Sequence, residues 1–427
     1  MAFLIFHSPN LTAALLIRAN SLAIGFSGVR PILVDTLIEM LNHGVTPVVP
    51  SQGSLGSSGD LAPLAHMALV LSTDEKDRDE ESSWASYGLT QNLRLSGKAA
   101  MEAAGVPRLE LSHKEGLALT NGATFSAAIA ALAVADAEHL FRVAEISLSM
   151  SLEALLGVAT AFDQRLHAAR NHPGQQEVAE KVRQLTSGST LMDGAGRVQD
   201  GYSLRCAPQV QGAALDTLAH VRTVISREIN AATDNPLLFG PGEAISGGNF
   251  HGEPVGMVMD FLGIAAAEVA AIAERRIFRL IDSKTNAGLP PMLVDTPEAA
   301  GLNSGMMMLQ YTAAALVLEN QTLAHPDTVH SLPTSAGQED HNANSLTAAR
   351  HARQILENCA HVLAIEVYCA ARALDLRLRQ IPTARMGVGG AQAHARVRES
   401  VPYQPGDAWW GPEVEAVRML VLRKDFY

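Results

Sequence analysis

The sequence predicts a mainly α protein built on a bundle of long helices. Two observations carry this: 47% of the 427 residues are hydrophobic but only 5% are aromatic, and long stretches beyond position 121 carry alanine on nearly every face, as in Ala265-Ala-Ala-Glu-Val-Ala-Ala-Ile-Ala273. Small aliphatic side chains suit closely packed helices better than an aromatic-rich β-sandwich. A helix apolar all round must be buried in a large bundle or between subunits, so an oligomer built through the bundle is expected.

Taken in order, the apolar residues from Ala13 to Leu41 recur at helical spacing, and Gly25, Gly28 and Pro31 divide them into two helices. Pro47 to Pro50 marks a loop. The run Ser51-Gln-Gly-Ser-Leu-Gly-Ser-Ser-Gly59 has the composition of a flexible linker, yet apolar elements flank it and a helix is expected from about Leu61. The acidic cluster Asp74 to Glu81 reads as a solvated surface loop. Beyond Asn121 helical patterns occupy about 124–160, 176–187, 208–230, 254–283, 303–324 and 345–378, separated by connectors such as Asn171-His-Pro-Gly174 and Phe239-Gly-Pro-Gly242. This change in character divides the chain into an N-terminal region, 1–120, and a helical region, 121–427. There is no internal repeat and no nucleotide-binding glycine pattern.

Charge narrows the partners. With 32 Lys and Arg against 44 Asp and Glu, the formal net charge is −12, which argues against covering a nucleic-acid backbone or an anionic membrane. Cys206, Cys359 and Cys369 are too few for a disulfide scaffold, and neither they nor His66, His251 and His341 show metal-ligand spacing, so no metal is predicted. Charges such as Asp260 and Glu268 interrupt the longest apolar stretches, and the opening residues MAFLIFHSPNL make a poor signal peptide. A cytoplasmic protein is expected.

Polar residues gather at helix ends in five clusters: Gly56-Ser-Ser-Gly-Asp60, Thr120-Asn-Gly122, Gln199-Asp-Gly-Tyr-Ser-Leu-Arg205, Ser246 to Pro254, and Ser335 to Asn342. Loops held by a rigid bundle are where catalytic groups sit. Each cluster also has a plainer reading. Ser58 or Asp60 suits a helix cap, Asn121 likewise, Phe250 a core position, Tyr202 and Arg205 a partly buried tyrosine with a surface arginine, and Glu339-Asp-His341 an N-terminal cap ahead of the 345–378 helix. The chemical readings are sharper. In a tight Ser57-Ser58-Gly59 bend the Gly59 nitrogen can attack the Ser57 carbonyl carbon, and loss of two waters leaves Ser58 as a dehydroalanine within a five-membered ring; Gly59 suits the strained geometry. Arg205 offers a planar fork for a carboxylate, with Tyr202 as a proton donor or acceptor beside it.

Read in order, the clusters resemble the histidine and aromatic amino acid ammonia-lyase family, which uses the methylidene-imidazolone group MIO. The matching residues are Gly53-Ser-Leu-Gly-Ser-Ser-Gly-Asp-Leu-Ala-Pro-Leu-Ala-His66, Leu117-Ala-Leu-Thr-Asn-Gly122, Gln199 to Gln209, Thr233-Asp-Asn-Pro236, Gly247-Gly-Asn-Phe-His251 and Gln338-Glu-Asp-His341. The resemblance implies an aspartase/fumarase-like helical fold, a homotetramer with shared sites, and an MIO formed from Ser57, Ser58 and Gly59, with Ser57 where the family usually has alanine. It further implies that Asn121 and Arg205 hold an amino acid substrate, that Gln199 and Tyr202 line the site, and that Phe250 packs on the MIO. Glu339, within Gln-Glu-Asp-His, matches the histidine-specific members, which points to conversion of L-histidine to urocanate. Phenylalanine or tyrosine elimination, a 2,3-aminomutase, and a non-catalytic homologue are the alternatives. The family's base lies on a tyrosine within Tyr-Gly…Thr-Gly-Phe-Gly ahead of the MIO loop. Here the first tyrosine, Tyr87, follows that loop, so the sequence predicts slow turnover or dependence on a separate N-terminal polypeptide.

Overall fold

The computed structural model describes residues 5–6, 8–73, 83–87 and 94–426; the acidic cluster 74–81 and His7 lie outside them. Fifteen α-helices account for most of the described chain: α1 Ser8–Ala23, α2 Pro31–Asn42, α3 Leu61–Leu71, α4 Gly97–Ala104, α5 Glu115–Thr120, α6 Thr124–Ala154, α7 Gln164–Arg170, α8 Pro173–Leu185, α9 Tyr202–Arg205, α10 Ala207–Glu228, α11 Glu253–Ile281, α12 Met307–Leu323, α13 Ser345–Gln380, α14 Val388–Ser400 and α15 Trp410–Arg423. All six long helices expected from the periodicity form, with shifts at their ends that have local causes. α6 stops at Ala154 instead of 160 because Leu156 turns left-handed (φ 54°) and the Gly157 N–H bonds back to the Leu152 carbonyl at 2.8 Å. Asn171, left-handed at φ 62°, closes α7, and Pro173 opens α8 three residues ahead of expectation. α12 begins at Met307 because Asp407 holds the Ser304 and Gly305 N–H groups at 2.7 and 2.8 Å in a non-helical turn.

The chain divides into two compact units, Met1–Val134, His220–Phe261 and Pro326–Arg353 in one, Ala135–Ala219, Leu262–His325 and Gln354–Tyr427 in the other. The division at 120/121 drawn from composition follows the chain, whereas each of these units collects three separate stretches.

In the first unit α1 packs on α2, and α3 on α4 and α5. A three-stranded antiparallel sheet (Val45–Pro47, Trp84–Tyr87, Arg94–Ser96) and a hairpin (Leu237–Gly240 with Glu243–Ile245) stand where the sequence suggests only loops. Phe6 stacks on Phe125 with ring centroids 5.4 Å apart. Arg18, wholly buried on α1, donates to the Ala118 carbonyl at 3.1 Å and to Thr124 Oγ1, so α1 clamps the turn that joins α5 to α6. Burial pushes its guanidinium down to about 10, against the pull of Asp234 and Asp60.

The second unit is bundle throughout. Its most buried ion pair joins Arg276 on α11 to Glu366 on α13, both side chains fully enclosed. Glu366 also accepts from Ser147 Oγ at 2.7 Å and Ser151 Oγ at 2.8 Å, one turn apart on α6, so the carboxylate is satisfied on every side. α8 and α10 approach so closely that a Cβ on Gly174 would lie 2.2 Å from the Gly212 carbonyl oxygen. By length and composition α11 could cross a membrane despite Asp260 and Glu268, but 67% of its most apolar window is buried inside the protein.

Candidate active site

The linker-like segment is not a spacer. Ser54, Ser57 and Asp60 are buried, and the segment is pinned along its length. Gly122 N–H donates to the Ser58 carbonyl at 3.0 Å and Asp60 N–H to the Gly122 carbonyl at 2.9 Å, which pairs Gly59 with Gly122 as in a parallel sheet. Further bonds run from Gly252 N–H to the Gly56 carbonyl (2.9 Å) and from Asn344 N–H to the Leu55 carbonyl (2.7 Å). Gly59 has φ 79°, and a Cβ there would lie 2.0 Å from the Gly122 carbonyl carbon, so only glycine fits.

Asp60 stands at the N-cap position of α3, but its side chain makes no capping bond. It faces inward instead, accepting from Ser126 N–H (2.8 Å), Ser126 Oγ (3.0 Å) and Ser54 Oγ (2.7 Å). Burial raises its carboxyl pKa and those hydrogen bonds oppose the rise. Asp60 thus ties the bend to the first turn of α6, a role hidden in the sequence because Ser126 lies among alanines.

Ser57 and Ser58 open onto a cavity of about 380 Å³ also lined by Leu117, Asn121, Asn235, Phe250, His251 and the run Gln338 to His341. Ser58 Oγ donates to Glu339 Oε1 at 2.7 Å, and Thr334 and Ser335 hydroxyls donate to Glu339 Oε2 at 2.7 and 2.8 Å. These donors, Ser58 first, bring the Glu339 carboxyl down to about 2. α13 begins at Ser345 as expected, and Glu339-Asp-His341, read as a cap ahead of it, lies in a loop that carries Glu339 to the serine. Asp260 fastens that loop by accepting from the Asp327 and Thr328 N–H groups at 3.0 Å each. His341 stacks on His251 with centroids 6.0 Å apart.

Asn121 is buried, and its amide nitrogen donates to Asp234 Oδ1 (3.2 Å) and the Asn235 carbonyl (3.3 Å). Asp340 lines the cavity beside Glu339, and so do Asn235 and Gln338, whose only sequence signal is membership of the quoted motifs. Gln199, Tyr202 and Arg205 belong to the second unit and do not line this cavity. There Tyr202 is 72% exposed, Gln199 is exposed, and the Arg205 guanidinium sits over the Tyr202 ring at 4.8 Å.

With this geometry described, comparison with known proteins is informative. The histidine ammonia-lyase of Geobacillus kaustophilus is 47% identical over 414 residues, 96% of this chain and 79% of that protein. The histidine ammonia-lyase of Caldanaerobacter subterraneus is 51% identical over 392 residues, 91% of this chain and 73% of that protein. Among solved structures, histidine ammonia-lyase from Trypanosoma cruzi superposes with a TM-score of 0.89 at 35% identity, covering 99% of this chain and 77% of that one. Tyrosine aminomutase from Streptomyces globisporus gives 0.90 at 34% identity, covering 100% and 81%. The fold is therefore the one these ammonia-lyase and aminomutase structures share. The family profile of the aromatic amino acid lyases matches residues 6–399, and the chain belongs to that family, as a carbon–nitrogen lyase.

Proposed function

We propose that the chain eliminates ammonia from L-histidine to give urocanate, using an MIO formed from Ser57, Ser58 and Gly59. The observation that carries this is the Ser58 Oγ to Glu339 Oε1 hydrogen bond at the mouth of a glycine bend that admits no side chain. The bend fits the group: Gly59 is held left-handed beside Gly122, and the Ser58 hydroxyl that must leave points into the cavity. Ring closure joins the Gly59 nitrogen to the Ser57 carbonyl carbon and expels that oxygen as water; a second water takes the Ser58 hydroxyl and α-proton. When formed, the group supplies an electrophile that makes the substrate amine a better leaving group.

The chain's own residues divide the remaining work. Glu339, still held by the Thr334 and Ser335 hydroxyls once the Ser58 hydroxyl has left, is placed as an acceptor for an imidazole N–H, which supports histidine over phenylalanine or tyrosine. Asn121 has spent its amide N–H groups on Asp234 and Asn235, leaving Oδ1 to accept from the substrate ammonium. Phe250 walls the cavity. The short helix α9, with Tyr202 exposed and Arg205 part-buried against it and Gln199 exposed just ahead, is suited to complete the site of a neighbouring copy in a cytoplasmic homotetramer, where Arg205 would take the carboxylate and Tyr202 a proton.

Intact-mass measurement of purified protein tests the ring, with an expected loss of roughly 36 Da for two waters. Ultraviolet assay with L-histidine, L-phenylalanine and L-tyrosine tests the substrate, urocanate being the expected product. An unmodified mass together with no urocanate would sink the proposal. A β-amino acid product would establish the aminomutase reading instead, which the likeness to tyrosine aminomutase keeps in view.

A further inference from the structure

The second unit contains a larger cavity, of about 560 Å³, that the lyase reading does not use. Three helix faces build it. α6 contributes Arg142, Glu145 and Ile146, α8 contributes Glu177, Glu180, Lys181, Gln184 and Leu185, and α14 contributes Gly389 and Gln392, with Phe426 closing one side. The α8 residues fall at helical spacing, so they form one stripe facing the space. The volume is that of a small-molecule site, and its lining is mostly charged and polar, with Ile146, Leu185 and Phe426 as the apolar part.

One side chain singles it out. Glu145 is only 4% exposed, its carboxylate faces the cavity, and no described residue donates a hydrogen bond to it. Its oxygens border the cavity space, and a carboxyl with so little exposure is ordinarily met by a donor there. Among the described residues no three His, Cys, Asp or Glu side chains converge closely enough to hold a metal ion, so a bare cation does not answer the vacancy of partners. A ligand that brings its own N–H donors on a carbon chain does: the donors meet Glu145, and the chain lies along Ile146, Leu185 and Phe426.

We propose that this cavity binds a small primary amine, its ammonium group on Glu145 and any trailing carboxylate on Arg142 and Lys181 at the exposed rim. Protonation supports the geometry. Burial, together with Glu177, pushes the Glu145 carboxyl up to about 8, while Lys181 and Arg142 oppose the rise. Glu180 is the remaining charged lining group on α8, and α14 and Phe426 contribute only uncharged ones. At pH 7 the site is therefore mostly a neutral acid, and an arriving ammonium must displace its proton.

Isothermal titration of the intact protein with butan-1-amine and with 4-aminobutanoate, each in two buffers of different ionisation enthalpy, tests this. Both should bind, the amino acid more tightly, with release of close to one proton at pH 7. Apparent affinity should rise about tenfold from pH 6 to pH 7 and level off above pH 8. Glu145→Gln, a neutral isostere that keeps the packing, should weaken both by at least tenfold. Gln392→Trp, at an exposed rim position, should do the same by filling the entrance. Absence of binding by either amine, or equal affinity in Glu145→Gln and the parent, overturns the proposal; neither result bears on the mass or urocanate measurements that test the lyase reading.

Discussion

Each unit presents a glutamate to a cavity, and the surroundings of the two differ in kind. Glu339 stands on a loop in the first unit, half-open to solvent, with three hydroxyl donors aimed at its oxygens, and its carboxyl falls to about 2. Glu145 stands on a long helix in the second, enclosed and without a donor among the described residues, and its carboxyl rises to about 8. Elsewhere in that same unit Glu366 is fully enclosed, yet it has Arg276, Ser147 and Ser151 around it. Burial opposes the charge of a carboxylate, and donors beside it work against that cost.

The largest expected effect falls on the loop that faces Glu339. Gly59→Ala drives a Cβ into Gly122, and both the two-water mass loss and urocanate formation should fall to background, read by mass spectrometry and ultraviolet assay. Arg276→Ala strips Glu366 of its charge partner and should cost about 3–5 kcal/mol in denaturant unfolding, showing how much a donor is worth in the second unit. Glu145 gives the opposite sign of pH dependence. Its raised pKa means the fold prefers the neutral acid, so the stability it contributes is complete below about pH 4.5 and is lost as pH rises through about 8, by up to about 4 kcal/mol; Glu145→Gln should flatten that slope in unfolding curves between pH 5 and 8.5. The smallest effect belongs to Glu339. With a lowered pKa its stabilising share is present above about pH 4.5 and lost only as pH falls through about 2, so Glu339→Gln and the parent should show parallel stability from pH 5 to 8. In the same variant kcat/KM should drop about tenfold more for histidine than for phenylalanine, which separates recognition from stability.

The helical architecture was legible because long apolar periodicity survives tertiary packing: α6, α10, α11, α12 and α13 begin and end within a few residues of expectation, except where Leu156 and Asp407 intervene. Three-residue strands such as Val45–Pro47 carry too little pattern to be seen, and their pairing with Trp84–Tyr87 is set by contacts distant in sequence. At the site, Ser57, Ser58, Asn121, Phe250 and Glu339 were readable from motif order and line one cavity. The inward turn of Asp60 toward Ser126 was not, because a carboxylate before a helix looks like a cap until its partner's position is known. Nor was the seating of Tyr202 and Arg205 in the second unit, since motifs adjacent in a family pattern carry no information about which compact unit holds them.

The pairing of Gly59 with Gly122 has a temporal side. The bend at Ser57-Ser58-Gly59 is held by a strand of chain that arrives only when α5 and the start of α6 have docked, with Arg18 locking the turn between them. An unfolded chain visits that bend too briefly to hold it, because loop closure over such a separation is entropically costly. On the proposed ring closure, the modification of the tripeptide is a timestamp written after this pairing has formed.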